Sequence, residues 1–384
     1  MEKRLVYADF AATAVPSERA LNKAMPYLKE SFGNASGMYA LGMRSARAVL
    51  DARKSIAASL GAKPEEIFFT SGGTESDNWA VRAAAESGAR KGKRHLISSA
   101  VEHHAVINTL KDLETKGFTV TYLPVDKEGR LTAEQVREAI TDDTALVSVM
   151  TANNEIGIIY PVDEIAEICR SRGVLFHTDA VQAVGHIPMD LSKLGADMVS
   201  LSGHKFGAMK GIGALYVRKG ADIGSFMTGG AQESGRRAGT ENVAAIVSMA
   251  EALAESIENM DAVNARLTVM RDRLIDGLTA SIPDCFLNGG RENRLAGNVN
   301  LSVKGVDGES MLLMLDMMGI MASSGSACAV AQKDPSHVLL ALGVDRKLAH
   351  GSLRLSLGCT TTDEEVDYML ERIPEAVSRL RALR

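Results

Sequence analysis

Short apolar runs alternate with longer amphipathic stretches through the first two-thirds of the chain. Ile67–Thr70, His95–Ser99, Thr119–Leu123, Ala145–Met150, Val174–Thr178, Met198–Leu201 and Ala214–Val217 have the length and character of strands. Between several of them lie segments of helical period, among them Glu75–Ala89, Ala105–Lys116 and Val162–Arg172. Apolar strands separated by helix-length connections predict a mainly parallel sheet covered on both faces. Ligands of such sheets sit beyond the carboxyl ends of the strands, so chemistry is to be sought there.

The texture changes after Gly239. Asn242–Leu278 is one long helical pattern, with or without a break, suited to linking a large unit to a smaller one. Strand-like pieces at Val299–Val303 and Leu353–Leu357 and helices around Gly308–Met318 and Thr362–Leu383 fill the remainder. The expected organisation is a large domain over residues 15–255 and a smaller α+β domain built from residues 1–14 and 256–384. No repeat or low-complexity linker separates them, which predicts packed domains.

Composition changes this picture little. The 384 residues suffice for two domains, and 46% hydrophobic with 24% charged residues is ordinary for a globular protein. A net charge of −5 gives no general attraction to nucleic acid or an anionic membrane. The apolar segments are too short or too interrupted to span a bilayer, and the opening residues Met1–Arg4 lead into a strand-like piece, not a signal peptide. The cytoplasm is the expected compartment. Four cysteines, Cys169, Cys285, Cys328 and Cys359, form neither a disulfide framework nor a CxxC zinc pair.

Several strand ends carry candidate chemistry. Thr70-Ser71-Gly72-Gly73-Thr74-Glu75 follows a strand and opens a helix. Its small residues and the helix terminus suit an anion such as phosphate, although a plain capped turn has the same look. It lacks the Lys-Ser/Thr of a P-loop, and the other glycine-rich stretches give no GxGxxG after a strand. Asp179 ends the strand Val174–Thr178, and Lys205 follows the next one in Ser200-Leu201-Ser202-Gly203-His204-Lys205. Alone, the aspartate reads equally as a cap and the lysine as a solvated charge. A parallel sheet brings the pair to one edge, where pyridoxal phosphate (PLP) needs a lysine amine for attachment and a carboxylate for the pyridine nitrogen. Thr74, Ser202 and His204 would then seat the phosphate, and Gln182 the ring hydroxyl.

Glu102-His103-His104 invites a metal reading. Adjacent side chains on a strand point apart, however, and no spaced partners follow. An imidazole stacked on the cofactor ring and a hydrogen-bonded structural histidine are the two readings of His103. Ser323-Ser324-Gly325-Ser326-Ala327-Cys328 places a cysteine among small residues in a predicted loop, as a mobile thiol nucleophile requires. Most other free cysteines are small buried hydrophobes. Arg354 is either a substrate-carboxylate fork or a surface strand arginine.

At these residues the chain resembles the cysteine desulfurases of the class V aminotransferase, fold-type-I branch of PLP enzymes. Phe69–Asn78, Val149–Gly157, Leu175–Val184, Leu201–Lys205, Gly211–Arg218, Gly235–Asn242 and Ser323–Cys328 carry the likeness by their order and spacing. The loop of Cys328 resembles the long-loop subgroup that supplies sulfur for iron–sulfur clusters and tRNA thiolation. The resemblance implies an α/β fold with a mainly parallel seven-stranded sheet and a smaller α+β domain. It implies that Lys205 holds PLP, Asp179 meets the ring nitrogen, and His103 stacks on the ring. Gln182 and Asn154 would lie around the ring hydroxyl and the substrate carboxylate. Gly73, Thr74, Ser202 and His204 would seat the phosphate, joined by Thr240 from the second subunit of a homodimer. Arg354 would bind the substrate L-cysteine, and Cys328 would take its sulfur as a persulfide. Cys328 is also the one candidate for an iron–sulfur ligand.

Phe10, Tyr39, Thr151, Gly207-Ala208-Met209 and Ala329-Val330 depart from the usual pattern of these relatives. They bear on substrate range, rate and partner. The competing readings are an aminotransferase or selenocysteine lyase of the same fold, a non-catalytic scaffold of a sulfur complex, and an NAD-dependent enzyme.

Overall fold

The strand runs assemble as the alternation predicts in a computed structural model that describes residues 4–325 and 334–383. After the short strand β1 (Val6–Tyr7), helices α1 (Glu18–Lys29) and α2 (Ala40–Ser59) lead to β2 (Ile67–Thr70). Then α3 (Gly73–Arg90), β3 (His95–Ser99), α4 (His104–Glu114) and β4 (Thr119–Leu123) follow. Next come α5 (Ala133–Ala139), β5 (Thr144–Ser148), α6 (Val162–Ser171), β6 (Leu175–Asp179), α7 (Leu191–Leu194), β7 (Met198–Ser202) and β8 (Gly213–Val217). Strands β2–β8 make a seven-stranded sheet in the order β2-β8-β7-β6-β5-β3-β4. Pairing is parallel throughout except at β8, which runs against both β2 and β7.

Both faces are covered. On one, Trp79, Val81, Ala84, Val106 and Leu110 from α3 and α4 pack against Leu96, Leu146 and Leu215. On the other, α2 and α6 close over Ile97, Val147, Phe176 and Val199. Helix α2 is set by Gly42, Ser45, Val49, Ala52 and Ile56, which share one face and are buried, Val49 and Ile56 each contributing about 1.5–3 kcal/mol.

Helix α8 (Val243–Ser281) is a single uninterrupted element of 39 residues. Its first part, including Ile246, Met249 and Leu253, packs into the core beneath the large sheet. Its last part, including Met270, Leu274 and Leu278, packs into a second core. That core also holds β9 (Cys285–Leu287), β10 (Asn298–Val303), α9 (Gly308–Met317), β11 (Ile320–Met321) and, beyond α10 (His337–Ala341) and α11 (Arg346–Ala349), β12 (Ser352–Ser356) and α12 (Asp363–Ala382). The antiparallel sheet β12-β10-β9 is its centre, and β1 joins it by pairing with β11. Val338, Leu339, Leu342 and Ala349 instead pack on the larger core, so the chain crosses between the two more than once.

The departures from the usual pattern have local partners. Phe10 is buried edge-on to Tyr7 and covers Gly358, where a Cβ would lie 2.1 Å from its ring. Thr151 shares a buried 2.8 Å hydrogen bond with Thr178, and Tyr39 is exposed ahead of α2. Among the described residues no helix is long and apolar enough to cross a membrane.

Candidate active site

Strand β6 ends on Asp179 and its neighbour β7 ends on Ser202, with Asp179 opposite Ser200 in the register. A one-turn helix, Gly203–Lys205, follows β7 and brings Lys205 to the same edge as Asp179. The Lys205 ammonium donates to the carbonyls of Ala11 at 2.6 Å and Ala12 at 2.9 Å, so the N-terminal segment forms a lip over the site. The Gln182 amide also donates to Ala11, at 3.0 Å. These groups line a cavity of about 230 Å³, together with Gly73, Thr74, His103, Asn154, His204 and Arg354. The strand-edge rule thus places the lysine, the carboxylate and the proposed anion seat in one volume.

Asp179 is 5% exposed, and its Oδ1 accepts the Val181 N–H at 2.9 Å. The carboxylate caps a turn, since no helix follows it, and it faces the cavity as well. Burial pushes its pKa up to about 6, against the pull of the Val181 N–H and Lys205. His103 lies in the turn after β3 and is the N-cap of α4: its Nδ1 accepts the Ala105 N–H at 3.2 Å. That bond leaves the ring proton on Nε2. Burial, Lys205 and the neighbouring His104 and His337 pull its pKa down to about 4, so the ring is neutral at pH 7. His104 starts α4, and the two rings stand 6.3 Å apart.

The residues expected to form an anion seat, Gly73 and Thr74 at the start of α3 with Ser202 and His204, all line the cavity. The first N–H groups of α3 have no intrahelical partner. Gly73 is required there: a Cβ would stand 2.7 Å from Val181 Cγ2 and 3.4 Å from Ser202 Cβ. Glu75 is drawn away from the seat by Arg237 at 2.7 Å and the Ser71 N–H at 2.9 Å, which keeps its charge compensated. His204 contacts Thr13 Oγ1 at 3.1 Å, and burial with Lys205 and Lys210 holds its pKa down to about 4.

Arg354 lies in the middle of β12 and is 1% exposed, so it is no surface strand arginine. It donates to Asp9 Oδ1 at 2.8 Å and to the Asn154 carbonyl at 3.0 Å, while its Nε has no hydrogen bond. An orphaned donor on a buried guanidinium that lines the cavity suits an incoming carboxylate. Thr240 is exposed, outside the residues lining this cavity. Cys328 lies outside the described residues. Of the other cysteines, Cys169 and Cys285 are buried, with burial raising their pKa values to about 12 and 11, and Cys359 is exposed.

Three polar groups are additions to the set read from sequence. Asp9 pairs with Arg354; Glu102 is buried beneath His103, where its Oε1 accepts from Ser99 and the Met150 N–H. Asp77 lies within α3 with its carboxyl in the cavity wall. The signal for Asp77 was its place one and two turns from Gly73, Ala80 and Ala84 on an apolar helix face. Polar atoms of Asp77, His103 and Asp179 lie within 4.8 Å of one another, a grouping that sequence spacing does not show.

Fold and site together define an α/β enzyme whose lysine and carboxylate, at the ends of neighbouring parallel strands and the turn beyond, line a cofactor-sized cavity. The sequence matches the aminotransferase class-V family over residues 6–369. It is 51% identical over 380 residues to cysteine desulfurase IscS of Methanosarcina thermophila, covering 99% of this chain and 94% of that one. The cysteine desulfurase IscS of Clostridium botulinum strain Hall is 48% identical, covering 98% and 96%. A solved NifS-like protein superposes with a TM-score of 0.92 at 38% identity, covering 98% of this chain and all of that one. SspA, solved in complex with cysteine, superposes at 0.81 with 34% identity, covering 92% and 98%. The chain belongs to the class-V aminotransferase family. Its cofactor is PLP, and the residues fit it: a lysine amine, a buried carboxylate, a neutral imidazole and a side-chain-free helix start surround one volume.

Proposed function

We propose that the chain is a cysteine desulfurase, converting L-cysteine to L-alanine and leaving the sulfur as a persulfide on Cys328. The observation that carries this is the convergence of Lys205, Asp179 and the buried Arg354 on one cavity. The names of the most similar relatives and the cysteine bound to SspA support it.

Lys205 would anchor the cofactor, Asp179 would hold a proton at its ring nitrogen, and His103 and Gln182 would line the ring, while Gly73, Thr74, Ser202 and His204 would hold the phosphate. When bound, PLP supplies an electron sink for charge developing at the substrate's Cα. Arg354 and Asn154 hold the substrate carboxylate, so that Cα lies within reach of the Lys205 amine. Lys205 takes the Cα proton. The Cys328 thiolate then forms an S–S bond to the substrate sulfur as its bond to Cβ breaks. The electron pair stays with the carbon skeleton, which leaves as alanine once Cβ has taken up a proton and the Lys205 amine has returned the proton to Cα.

The working unit in this reading is a homodimer, with Thr240 completing the partner's phosphate seat. Leu28, Phe32, Met38, Tyr39 and Met43 are between 54% and 92% exposed, an apolar concentration suited to a subunit interface. The large domain 15–255 would carry the cofactor and the small domain 1–14 and 256–384 the Cys328 loop; the two hydrophobic cores joined by α8 support that division. The sulfur acceptor would be an iron–sulfur scaffold or a tRNA-thiolation enzyme in the cytoplasm. The test is steady-state turnover of the PLP-loaded enzyme with L-cysteine and a thiol reductant. Equal yields of alanine and sulfide are expected. Amino-group exchange with keto acids, without sulfide, would overturn the reading in favour of an aminotransferase.

A further inference from the structure

Asp77 is 1% exposed, and its Oδ1 has no hydrogen-bond partner. The His177 ring is 3.6 Å away, but its nitrogens already engage Ser148 Oγ at 2.8 Å and Ser200 Oγ at 3.0 Å. Burial holds the His177 pKa down to about 3, so it brings Asp77 no positive charge. Asp179 stands with Asp77 in the same group of polar atoms, all within 4.8 Å. Two carboxylates this close, both removed from water, do not ionise together: the pair retains a proton.

The surroundings decide which residue keeps it. Facing the pair are His177 on β6, Ser200 on β7, Lys205 in the turn after β7, and Glu102 and His103 before α4. Asp179 accepts a backbone N–H and feels the Lys205 ammonium, both favouring its anion. Asp77 is subject first to burial and then to the charge of Asp179, with only the Ser200 hydroxyl acting the other way; the neighbouring Glu102, itself protonated, adds no charge at neutral pH.

We propose that Asp77 remains a neutral carboxylic acid at the bottom of the cavity, so that the pair carries one negative charge and that charge resides on Asp179. Asp77 is a positioning residue: it acts through Asp179, fixing where the charge lies before the cofactor arrives. The consequence for turnover rests on the cofactor reading above. The protonation state is a property of the apoprotein and does not.

The test uses apoprotein with carboxyl-13C aspartate, read by infrared difference spectroscopy in the protonated-carboxyl carbonyl region. Glu102, also held protonated by burial with a pKa raised to about 8, is unlabelled and stays out of the difference. At pH 7 a labelled protonated-aspartate band is expected, and Asp77→Asn should remove it. In Asp179→Asn the band should persist at acid pH and titrate away at lower pH than in the wild type, because the like charge has gone. Absence of the band in the wild type, or its loss in Asp179→Asn at every pH with retention in Asp77→Asn, would overturn the assignment. If Asp77→Asn does not fold, the wild-type and Asp179→Asn titrations decide alone. In the PLP-loaded enzyme, Asp77→Leu should lower turnover about tenfold, with Asp77→Asn recovering most of it as a neutral polar mimic. Equal losses in the two would contradict a neutral role. Failure to release alanine would count against the desulfurase reading and leave the infrared result standing.

Discussion

The two sheets contribute to the cavity in different ways. The seven-stranded sheet offers groups at strand ends and in the turns just beyond them: Asp179 closes β6, Ser202 closes β7, and Lys205 lies in the turn after β7. The three-stranded sheet offers one group from mid-strand, Arg354, locked by Asp9 and the Asn154 carbonyl. Strand-end groups gain open space and short, adjustable backbone; a mid-strand arginine held on two sides is a fixed charge. On this account the large sheet does chemistry and the small sheet provides grip, so lesions in the first lower kcat and lesions in the second raise KM.

The largest expected effect is that of Lys205→Ala, which should abolish turnover, by at least about a thousandfold, in a protein that still folds. Borohydride reduction should fix no cofactor to it. A reducible linkage in this variant would break the comparison at its root. Asp179→Asn should keep some cofactor yet lower kcat by about a hundredfold with little change in KM, because a neutral amide cannot hold the ring nitrogen protonated. Near-normal alanine release at saturating PLP would reduce Asp179 to a turn cap.

Arg354→Lys tests the other side. The ammonium keeps the charge but loses the planar fork, so KM for L-cysteine should rise about tenfold or more while kcat changes less. A larger fall in kcat than rise in KM would erase the distinction between the sheets. The smallest effect concerns stability. Burial raises the folded Glu102 pKa to about 8, whereas the unfolded residue ionises near 4.3. Between those values the folded chain binds the extra proton, so stability falls as pH rises. Glu102→Gln stays neutral and should gain on the wild type between pH 5 and 8, by up to about 1.4 kcal/mol per pH unit in urea unfolding of the apoprotein. A difference independent of pH would place the ionised form in the folded state.

The same contrast explains what the sequence made legible. Strands of the large sheet are buried on both faces and read as apolar runs, so their ends, and Asp179 and Lys205 with them, were placed to within two residues. Continuity of α8 was not decidable from period alone, because its two halves bury different faces against different cores. The sequence puts His103 between a strand and a helix, but nothing local distinguishes a histidine N-cap from any other residue of that turn. The burial of Arg354 and its pairing with Asp9 depend on contacts 345 residues apart in sequence. Asp77 was hidden for a related reason: its carboxyl gains meaning only when β6 brings Asp179 beside α3.

The most direct test of the central claim is a single turnover of the PLP-loaded enzyme with 35S-labelled L-cysteine, followed by alkylation and site mapping. The account predicts one labelled persulfide on Cys328 per alanine released. It also predicts that Cys328→Ser releases neither, while serine at Cys169, Cys285 or Cys359 leaves turnover within a few-fold of the wild type. Label on another cysteine, or normal alanine release by Cys328→Ser, would contradict it.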